Sequence, residues 1–228
     1  MYKLTDIRDI HLEVTSKCQA RCPMCPRRIN GGMMNPLFDI DEITIETFKQ
    51  WFSVDFIKQL NSLFMCGNLG DPIIAQDTIE IYQYLRDNNP NISLTMHTNG
   101  SARTDKFWKQ LAELKVKITF GIDGLEDTHK LYRINTDYNQ ILHNAKTFID
   151  NGGVADWHML VFKHNEHQLK TAETKAYDMG FTVFTHKNSN RFMMESTFPV
   201  YDKNGNTLYN LEPPTESKIV FIDKKVIE

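Results

Sequence analysis

The chain has 228 residues, of which 24% are charged and 41% are hydrophobic, and its formal net charge is −3 at pH 7. These proportions indicate a globular protein long enough to bury a sizeable core, and they exclude the basic surface that nucleic-acid binding requires. The first residues, MYKLTDIRDIHLEV, lack a basic region followed by an apolar run, and no segment approaches the ~20 apolar residues of a membrane span. We therefore expect a cytoplasmic protein with no nucleic-acid partner and no membrane contact.

Six predicted strands alternate with predicted helices along the chain. The strands are short apolar or alternating runs, at 9–14, 62–67, 91–100, 116–124, 155–165 and 181–187. The helices are amphipathic, at 41–52, 73–89, 105–115, 138–153 and 166–180, with Gly152 at the end of the fourth. Because strand and helix alternate with short connections, the sequence predicts a parallel α/β sheet.

The alternation stops after about residue 186. Residues 200–211 surround an Asn-Gly pair, Asn204 and Gly205, which predicts a β-hairpin, and residues 212–218 resemble a linker. We therefore predict a domain at 1–186 and a C-terminal extension at 187–228.

Polar and glycine-rich segments follow the predicted strands. They lie at 15–25, 67–71, 98–100, 121–124 and 163–165. Each alone predicts only a turn, but ligands of parallel sheets bind at the carboxyl ends of the strands. Five such segments on one edge predict a single large site, with the first segment at its border.

Three of the four cysteines, Cys18, Cys22 and Cys25, fall in that first segment. A reducing compartment favours metal binding over a disulfide. A zinc ion would take a fourth ligand from Cys66 or a histidine, or use three ligands in a catalytic site. A thioredoxin-like pair would leave Cys18 unexplained. A [4Fe–4S] cluster held by three thiolates would leave one iron open to a small-molecule ligand, and an open iron is a reaction site.

The spacing Cys18-x3-Cys22-x2-Cys25 after a first strand resembles the signature of the radical S-adenosylmethionine (radical SAM) superfamily. Residues 68–74, NLGDPII, are similar to the family's Gly-Gly-Glu-Pro-like turn after the second strand. Residues 121–135, GIDGLEDTHKLYRIN, resemble the Ser-Ile-Asp-Gly segment and following arginine of members that modify peptides and proteins. The resemblance spans about residues 8 to 186. It implies a partial (β/α)6 TIM-like barrel, as in the core domain of SPASM/twitch-type members, followed here by a short hairpin and strand.

This resemblance implies the two cofactors and the reaction. Cys18, Cys22 and Cys25 would ligate three irons of a [4Fe–4S] cluster, and the amine and carboxylate of SAM would chelate the fourth. Reductive cleavage of SAM would give a 5′-deoxyadenosyl radical that removes a hydrogen atom from a peptide, protein or small-metabolite substrate. The implied electron donor is a reduced flavodoxin or a ferredoxin-type protein.

The resemblance also implies the contacts of SAM. Asp71 and the Gly70 carbonyl would hold its ammonium, and Arg133 would pair with its carboxylate through a planar two-donor fork. The rest of the implied cofactor-binding set comprises Met24 near the adenine, Asn68, Asn99 and Asp123 on the same rim, and Phe184 against the adenine ring. Asp71 stands where the family usually has Glu, and Gly121 where it usually has Ser.

Several other features have modest interpretations. Arg27 and Arg28 predict a solvated face or a contact for the electron donor, and we expect most of His158, His164, His167 and His186 at surface or loop positions. No cysteine follows Cys66, so we expect no auxiliary cluster ligated by this chain alone.

We expect the hairpin and a strand around Val220 to fold back and partly cover the open side of the barrel, because an unprotected radical is quenched. Glycyl-radical activation and deazaguanine synthesis are alternatives within the family, and a noncatalytic zinc-binding module is the alternative outside it.

Overall fold

The protein is described by a computed structural model covering residues 3–192 and 195–215. Six parallel strands form one sheet in chain order: β1 Asp9–Leu12, β2 Ser62–Met65, β3 Ser93–Thr98, β4 Val116–Gly121, β5 Ala155–Val161 and β6 Val183–Asn188. Each strand pairs with its neighbour in the chain, and β1 and β6 are the two edges. The predicted partial (β/α)6 TIM-like barrel is confirmed, with its lateral opening between β1 and β6.

The connections contain seven α-helices within the described residues: α1 Ile45–Trp51, α2 Val54–Lys58, α3 Thr78–Asn88, α4 Asp105–Glu113, α5 His129–Tyr132, α6 Tyr138–Asp150 and α7 Leu169–Met179. The short helices α2 and α5 were not predicted, because five and four residues are too few to show a helical period. Gly152 follows α6 with a φ of 85°, as its predicted place at the helix end requires. No helix of the described part is long and apolar enough to cross a membrane.

The predicted first helix begins at residue 45 rather than 41. Thr44 accepts a hydrogen bond from the Thr47 amide at 3.2 Å and so caps the helix. The preceding residues are extended instead, since the Ile43 amide donates to the Val14 carbonyl at 2.8 Å. This hydrogen bond attaches Val14, which lies just before the cysteine segment, to Ile43, which lies just before α1.

The two faces of the sheet differ in polarity. On β5, Trp157 and Met159 are fully buried in the core between sheet and helices. The alternate residues Asp156 and His158 point to the concave face, where the Lys117 ammonium lies 2.7 Å from the Asp156 carboxylate. The barrel interior is therefore a polar surface, suited to a polar ligand.

The predicted hairpin is also confirmed. It pairs β7 Phe198–Tyr201 with β8 Thr207–Leu211 in antiparallel fashion. Its turn is held by the Asp202 carboxylate, which accepts hydrogen bonds from the amides of Asn204 and Asn206 at 2.8 and 2.9 Å. Gly205 has a φ of 87°, a conformation that favours glycine.

The hairpin packs against the end of the barrel that carries the cysteine segment. Val200 and Leu211 are buried in a second apolar cluster with Met24, Tyr132 and Phe162. Their burial attaches the hairpin to the cysteine segment, to α5 and to the end of β5. The strand predicted around Val220 lies outside the described residues. The division at residue 186 stays a prediction, and β6 ends two residues beyond it, at Asn188.

Candidate active site

Two adjoining cavities open at the carboxyl ends of the strands. The larger, of about 460 Å³, is lined by all three clustered cysteines and by segments after β2, β3 and β6. The smaller, of about 180 Å³, reaches the concave face at His97, Thr119 and His158. Both are lined by Gly67, Asn68, Asp71, Asn99 and Arg133. Four of the five predicted rim segments therefore converge on one site, whereas residues 163–165 do not line it.

The cysteine segment is attached to the rest of the rim by backbone hydrogen bonds. The Arg21 amide donates to the Ile134 carbonyl at 2.8 Å, and the Asp71 amide donates to the Lys17 carbonyl at 2.9 Å. Asn135 adds a side-chain bond to the Gln19 carbonyl at 2.7 Å. The loop that carries the thiols is thus held by the two segments that resemble SAM-binding motifs.

The donor set fits a cluster better than one metal ion. Around a single zinc ion with bonds of about 2.3 Å, ligand sulfurs lie roughly 4 Å apart. In the described chain, Cys18, Cys22 and Cys25 are not a group whose ligand atoms all lie within 4.8 Å of one another. A cubane spaces its thiolates more widely, because each thiolate binds a different iron. Burial raises the pKa of Cys18 and Cys22, so these thiols need a bound cation to become thiolates.

Cys66 does not join the clustered cysteines. It lines the smaller cavity and lies beside His11 and Glu13, the three ligand atoms being within 4.8 Å of one another. Glu13 also accepts hydrogen bonds from the Asn68 and Leu69 amides, at 3.3 and 3.4 Å. Cys66 is therefore not placed as a fourth ligand for the other three.

Asp71 organises the turn after β2. Its carboxylate accepts four hydrogen bonds: from the Asn99 amide and side chain at 2.7 and 2.6 Å, from the Thr98 hydroxyl at 2.7 Å, and from the Ile73 amide at 3.2 Å. Burial raises the pKa of Asp71, and these hydrogen bonds oppose that rise. A carboxylate offers about four acceptor positions, so Asp71 has little capacity left for a ligand.

Glycine is required at Gly70 by a close backbone approach. A Cβ there would overlap the carbonyl oxygen of Thr15, the first residue of the segment 15–25 that carries the three cysteines. The turn therefore lies directly on the start of the cysteine segment, and both belong to the wall of the larger cavity.

Arg133 and Asp123 form a buried ion pair at the centre of the site. The Arg133 Nε donates to Asp123 Oδ2 at 2.5 Å, and Nη1 lies 3.9 Å from the Cys22 sulfur. Asp123 has no exposed side-chain surface, and its Oδ1 accepts from the Leu160 amide at 2.6 Å. Burial alone would lower the pKa of Arg133, but the charges of Asp123 and Cys22 raise it. The guanidinium stays charged and oriented, with Nη1 and Nη2 free of Asp123.

The absence of a side chain at residue 121 makes room for this arginine. A Cβ on Gly121 would overlap the Arg133 Nη2. The departure from the family's usual serine thus has a steric reason in this chain.

Three members of the implied set are not at the surface of either cavity. Asp123 is fully buried against Arg133. Met24 is buried beneath the larger cavity, with its sulfur 3.2 Å from the Ser189 hydroxyl and its carbonyl bonded by Arg191, two residues that do line the cavity. Phe184 lies in the main core beside Trp157, with ring centroids 6.0 Å apart. Because strand residues alternate between faces, Phe184 points to the helices. The structure does not bring it to the site.

Several residues that line the cavities were not predicted to do so; besides Arg27 and His158 they include His97, Thr119 and His186. Arg27, predicted to be solvated or a partner contact, is only 4% exposed and lines the larger cavity. His158, expected at the surface, lines the smaller one, and burial lowers its pKa to about 4. Its position opposite Gly121 in the β4–β5 register could have indicated this.

Comparisons with known proteins agree with this architecture. The family model described as "Radical SAM superfamily" matches residues 12–174. An uncharacterized protein of Methanocaldococcus jannaschii is 27% identical over 124 residues, which are 53% of this chain and 40% of that protein. The tungsten-containing aldehyde ferredoxin oxidoreductase cofactor-modifying protein of Pyrococcus furiosus is 26% identical over 115 residues, 49% of this chain and 29% of that protein.

Among solved structures, SuiB of Streptococcus suis bound to S-adenosylmethionine has a TM-score of 0.64 at 14% identity, over 79% of this chain and 40% of SuiB. SuiB bound to its precursor peptide SuiA gives a TM-score of 0.65. At this identity the likeness shows a shared fold. The chain covers well under half the length of each of these relatives.

Proposed function

The chain belongs to the radical SAM superfamily, whose cofactors are a [4Fe–4S] cluster and SAM, and we propose that it uses them to abstract a hydrogen atom from a peptide, protein or small metabolite. The observation that carries this proposal is the convergence of three thiols, a charged arginine and the turn after β2 on one cavity. That cavity adjoins the polar interior of the barrel through the smaller one. A cofactor site and a substrate space are therefore contiguous.

Each cofactor has a proposed set of residues. Cys18, Cys22 and Cys25 hold the cluster, which with SAM supplies a hydrogen-abstracting radical when an external donor provides one electron. We assign that donor to the flavodoxin or ferredoxin class. Arg133 binds the SAM carboxylate through Nη1 and Nη2, since its Nε is occupied by Asp123. Asp123 is a positioning residue, because it is buried and reaches the cavity only through Arg133.

The SAM ammonium is assigned to backbone oxygen at the turn after β2. The Asp71 carboxylate is occupied by four donors, so its role is to hold the turn while the Gly70 carbonyl faces the ligand. Asn68 and Asn99 line both cavities and border the same ligand. Met24 supports the adenine side from beneath.

The substrate is assigned to the concave face. His97, Thr119 and His158 offer polar groups there, and burial lowers the pKa values of both histidines, so they are neutral near pH 7. Among the described residues, the Nε2 of His158 is buried and has no hydrogen-bond partner, and we assign the substrate as the group that supplies one. The SuiB complex with its precursor peptide supports a peptide substrate, and the name of the Pyrococcus furiosus relative, a cofactor-modifying protein, supports a cofactor as the substrate.

Mass spectrometry of treated cell extracts tests this proposal. Enzyme, SAM and a reductant are incubated anaerobically with peptide and small-molecule fractions, and Cys22→Ala protein provides the matched control. We expect 5′-deoxyadenosine and a modified compound in one fraction, both absent with the control. Formation of 5′-deoxyadenosine without any modified compound in either fraction would contradict the substrate assignment. Its complete absence from reduced, cluster-loaded enzyme would contradict the reaction itself.

A further inference from the structure

Arg27 is a buried cation without an anionic partner. It is 4% exposed and lines the same cavity as the three clustered cysteines. Its Nη1 donates to the Cys18 carbonyl at 3.3 Å, and its Nε is buried with no hydrogen-bond partner. Within residues 3–192 and 195–215, no carboxylate forms an ion pair with it.

Such a side chain requires a countercharge. The guanidinium cannot lose its proton in a protein, and a buried charge is costly unless it is paired and hydrogen-bonded. Arg133, the other arginine of the site, is half-buried and has Asp123 for this purpose. The Asp71 carboxylate lines the same cavity, but four hydrogen-bond donors already occupy it. The other groups of the cavity that can supply the countercharge of Arg27 are the three thiols, once they are thiolates of a cluster.

Reduction makes the net charge of that cluster more negative. Three thiolates outweigh the positive charge of an oxidised cubane core, and reduction adds one further electron. A cation at close range therefore stabilises the reduced state more than the oxidised one. Hydrogen bonds and charges near the sulfurs are among the main determinants of cluster potentials.

We propose that Arg27 is the counter-ion of the cluster and raises its reduction potential, so that the external donor can deliver the electron. Arg27 is thus a positioning residue that acts on the cluster, whereas Arg133 acts on SAM. This inference rests on the proposed function, because it requires the cluster.

The neighbouring arginine provides a matched control. Arg28 carries the same charge one residue later and also has a buried, unpartnered Nε, but it is only half-buried and does not line the cavity. Its Nη1 donates to the Gly32 carbonyl at 2.9 Å. Removing Arg28 changes the net charge by the same amount without removing the guanidinium from the cavity wall.

The test is a redox titration of cluster-loaded protein without SAM, followed by electron paramagnetic resonance, for wild type, Arg27→Gln, Arg27→Met and Arg28→Gln. At a fixed potential, we expect the ratio of reduced to oxidised cluster to fall about tenfold in both Arg27 variants, equivalent to about 59 mV for one electron. The charge of Arg28 also acts on Cys18 and Cys25, so the ratio in Arg28→Gln should fall as well, but by less, because this guanidinium does not line the cavity. Arg27→Met is included because an apolar stem leaves no buried amide if the glutamine variant folds poorly.

Three results would overturn the inference. One is an unchanged potential in whichever Arg27 variants hold the cluster, and another is an equal shift in Arg28→Gln. The third is an unchanged potential with weakened SAM binding in the Arg27 variants, which would assign Arg27 to SAM. Absence of iron from the wild-type protein would instead contradict the proposed function, so the two failures are distinguishable.

Discussion

At the scale of single residues, the site depends on side chains that never touch a ligand. Asp123 is buried, yet it orients Arg133 and keeps it charged. The Asp71 carboxylate likewise accepts hydrogen bonds from Thr98, from Asn99 and from an amide of the turn after β2. The groups that we propose to contact SAM are then the Arg133 fork and the Gly70 carbonyl, and these internal contacts hold the segments that carry them.

The arginine fork gives the first prediction. Arg133→Ala should weaken SAM binding by roughly 1.5–3 kcal/mol, the value of hydrogen bonds to charged groups, which is about a tenfold to hundredfold loss. Asp123→Asn should act in the same direction, because Arg133 loses its orienting partner. Isothermal titration with cluster-loaded protein measures both. The exposed substitution Glu126→Gln on the same segment is the control, and unchanged affinity in Arg133→Ala would refute the assignment of this residue.

Gly121 gives the second prediction. Serine at this position would place a Cβ against the Arg133 guanidinium, so Gly121→Ser should displace the fork rather than add a useful hydroxyl. We expect SAM affinity to fall, by an amount comparable to that of Arg133→Ala, with the iron content unchanged. Tighter SAM binding in Gly121→Ser would show that the steric account of this glycine is incorrect.

His129 gives a prediction about pH. Its Nδ1 accepts from the Asp123 amide at 3.3 Å, its Nε2 lies 3.1 Å from the Thr136 hydroxyl, and burial lowers its pKa to about 4. The unfolded chain, with a histidine pKa of about 6.5, therefore binds a proton more readily than the folded one. Stability from this residue is fully present above about pH 6.5 and is lost as the pH falls toward 4.

Denaturant unfolding of cluster-free protein at a series of pH values measures this effect. The free energy of unfolding should decrease by about 1 kcal/mol per pH unit in this window, and His129→Gln should show a shallower decrease than wild type. The exposed residue His143 serves as the control position, through His143→Gln. Parallel pH profiles for wild type and His129→Gln would contradict a buried neutral histidine.

At the scale of elements, the hairpin β7–β8 is the part whose role is least evident from its sequence. The Asn-Gly pair predicts the turn, but the contacts of Val200 and Leu211 with Met24 depend on tertiary packing. Tyr209 adds a bond from its hydroxyl to the Leu131 carbonyl at 2.8 Å. The hairpin thus braces the cysteine segment and α5 together.

Loosening this hairpin should expose the cluster. Leu211 is 1% exposed, and Leu211→Ala should cost about 2–5 kcal/mol locally, whereas Leu208→Ala, at a residue 59% exposed, should be neutral. We expect faster proteolysis between residues 192 and 211 and faster bleaching of the cluster in air for Leu211→Ala only. If both variants bleach at the wild-type rate while Leu211→Ala is cut faster, the hairpin does not protect the cluster.

The elements that were predictable are those with a long or regular pattern. β4 and β5 alternate clearly, and α6 has a full amphipathic period. By contrast, α5 has only four residues, too few to show a helical pattern in the sequence. It places Tyr132 in the second apolar cluster and Arg133 at the site. The error at Phe184 has a related cause: an aromatic residue near a strand end is compatible with either face, and only the register with Trp157 decides which. The burial of Arg27 could not be predicted from the sequence, because two adjacent arginines usually indicate a solvent-exposed position.

At the scale of the whole molecule, the proposed cofactor and substrate spaces adjoin each other. The cysteine segment lies at the rim, the residues proposed to bind SAM follow at the turns after β2 and β4, and the polar interior of the barrel adjoins them. The chain has four cysteines, and Cys66 lies apart from the other three. This arrangement accommodates one cluster with one open iron, and the account as a whole depends on that stoichiometry.

Metal analysis combined with electron paramagnetic resonance of anaerobically reconstituted protein is the direct test of whether the chain holds one cluster with one open iron. The account predicts ~4 irons per chain and a reduced-cluster signal that changes when SAM is added. Visible absorption should be lost in Cys18→Ala, Cys22→Ala and Cys25→Ala but retained in Cys66→Ala. Tightly bound stoichiometric zinc without iron, or a cluster whose signal does not respond to SAM, would contradict it.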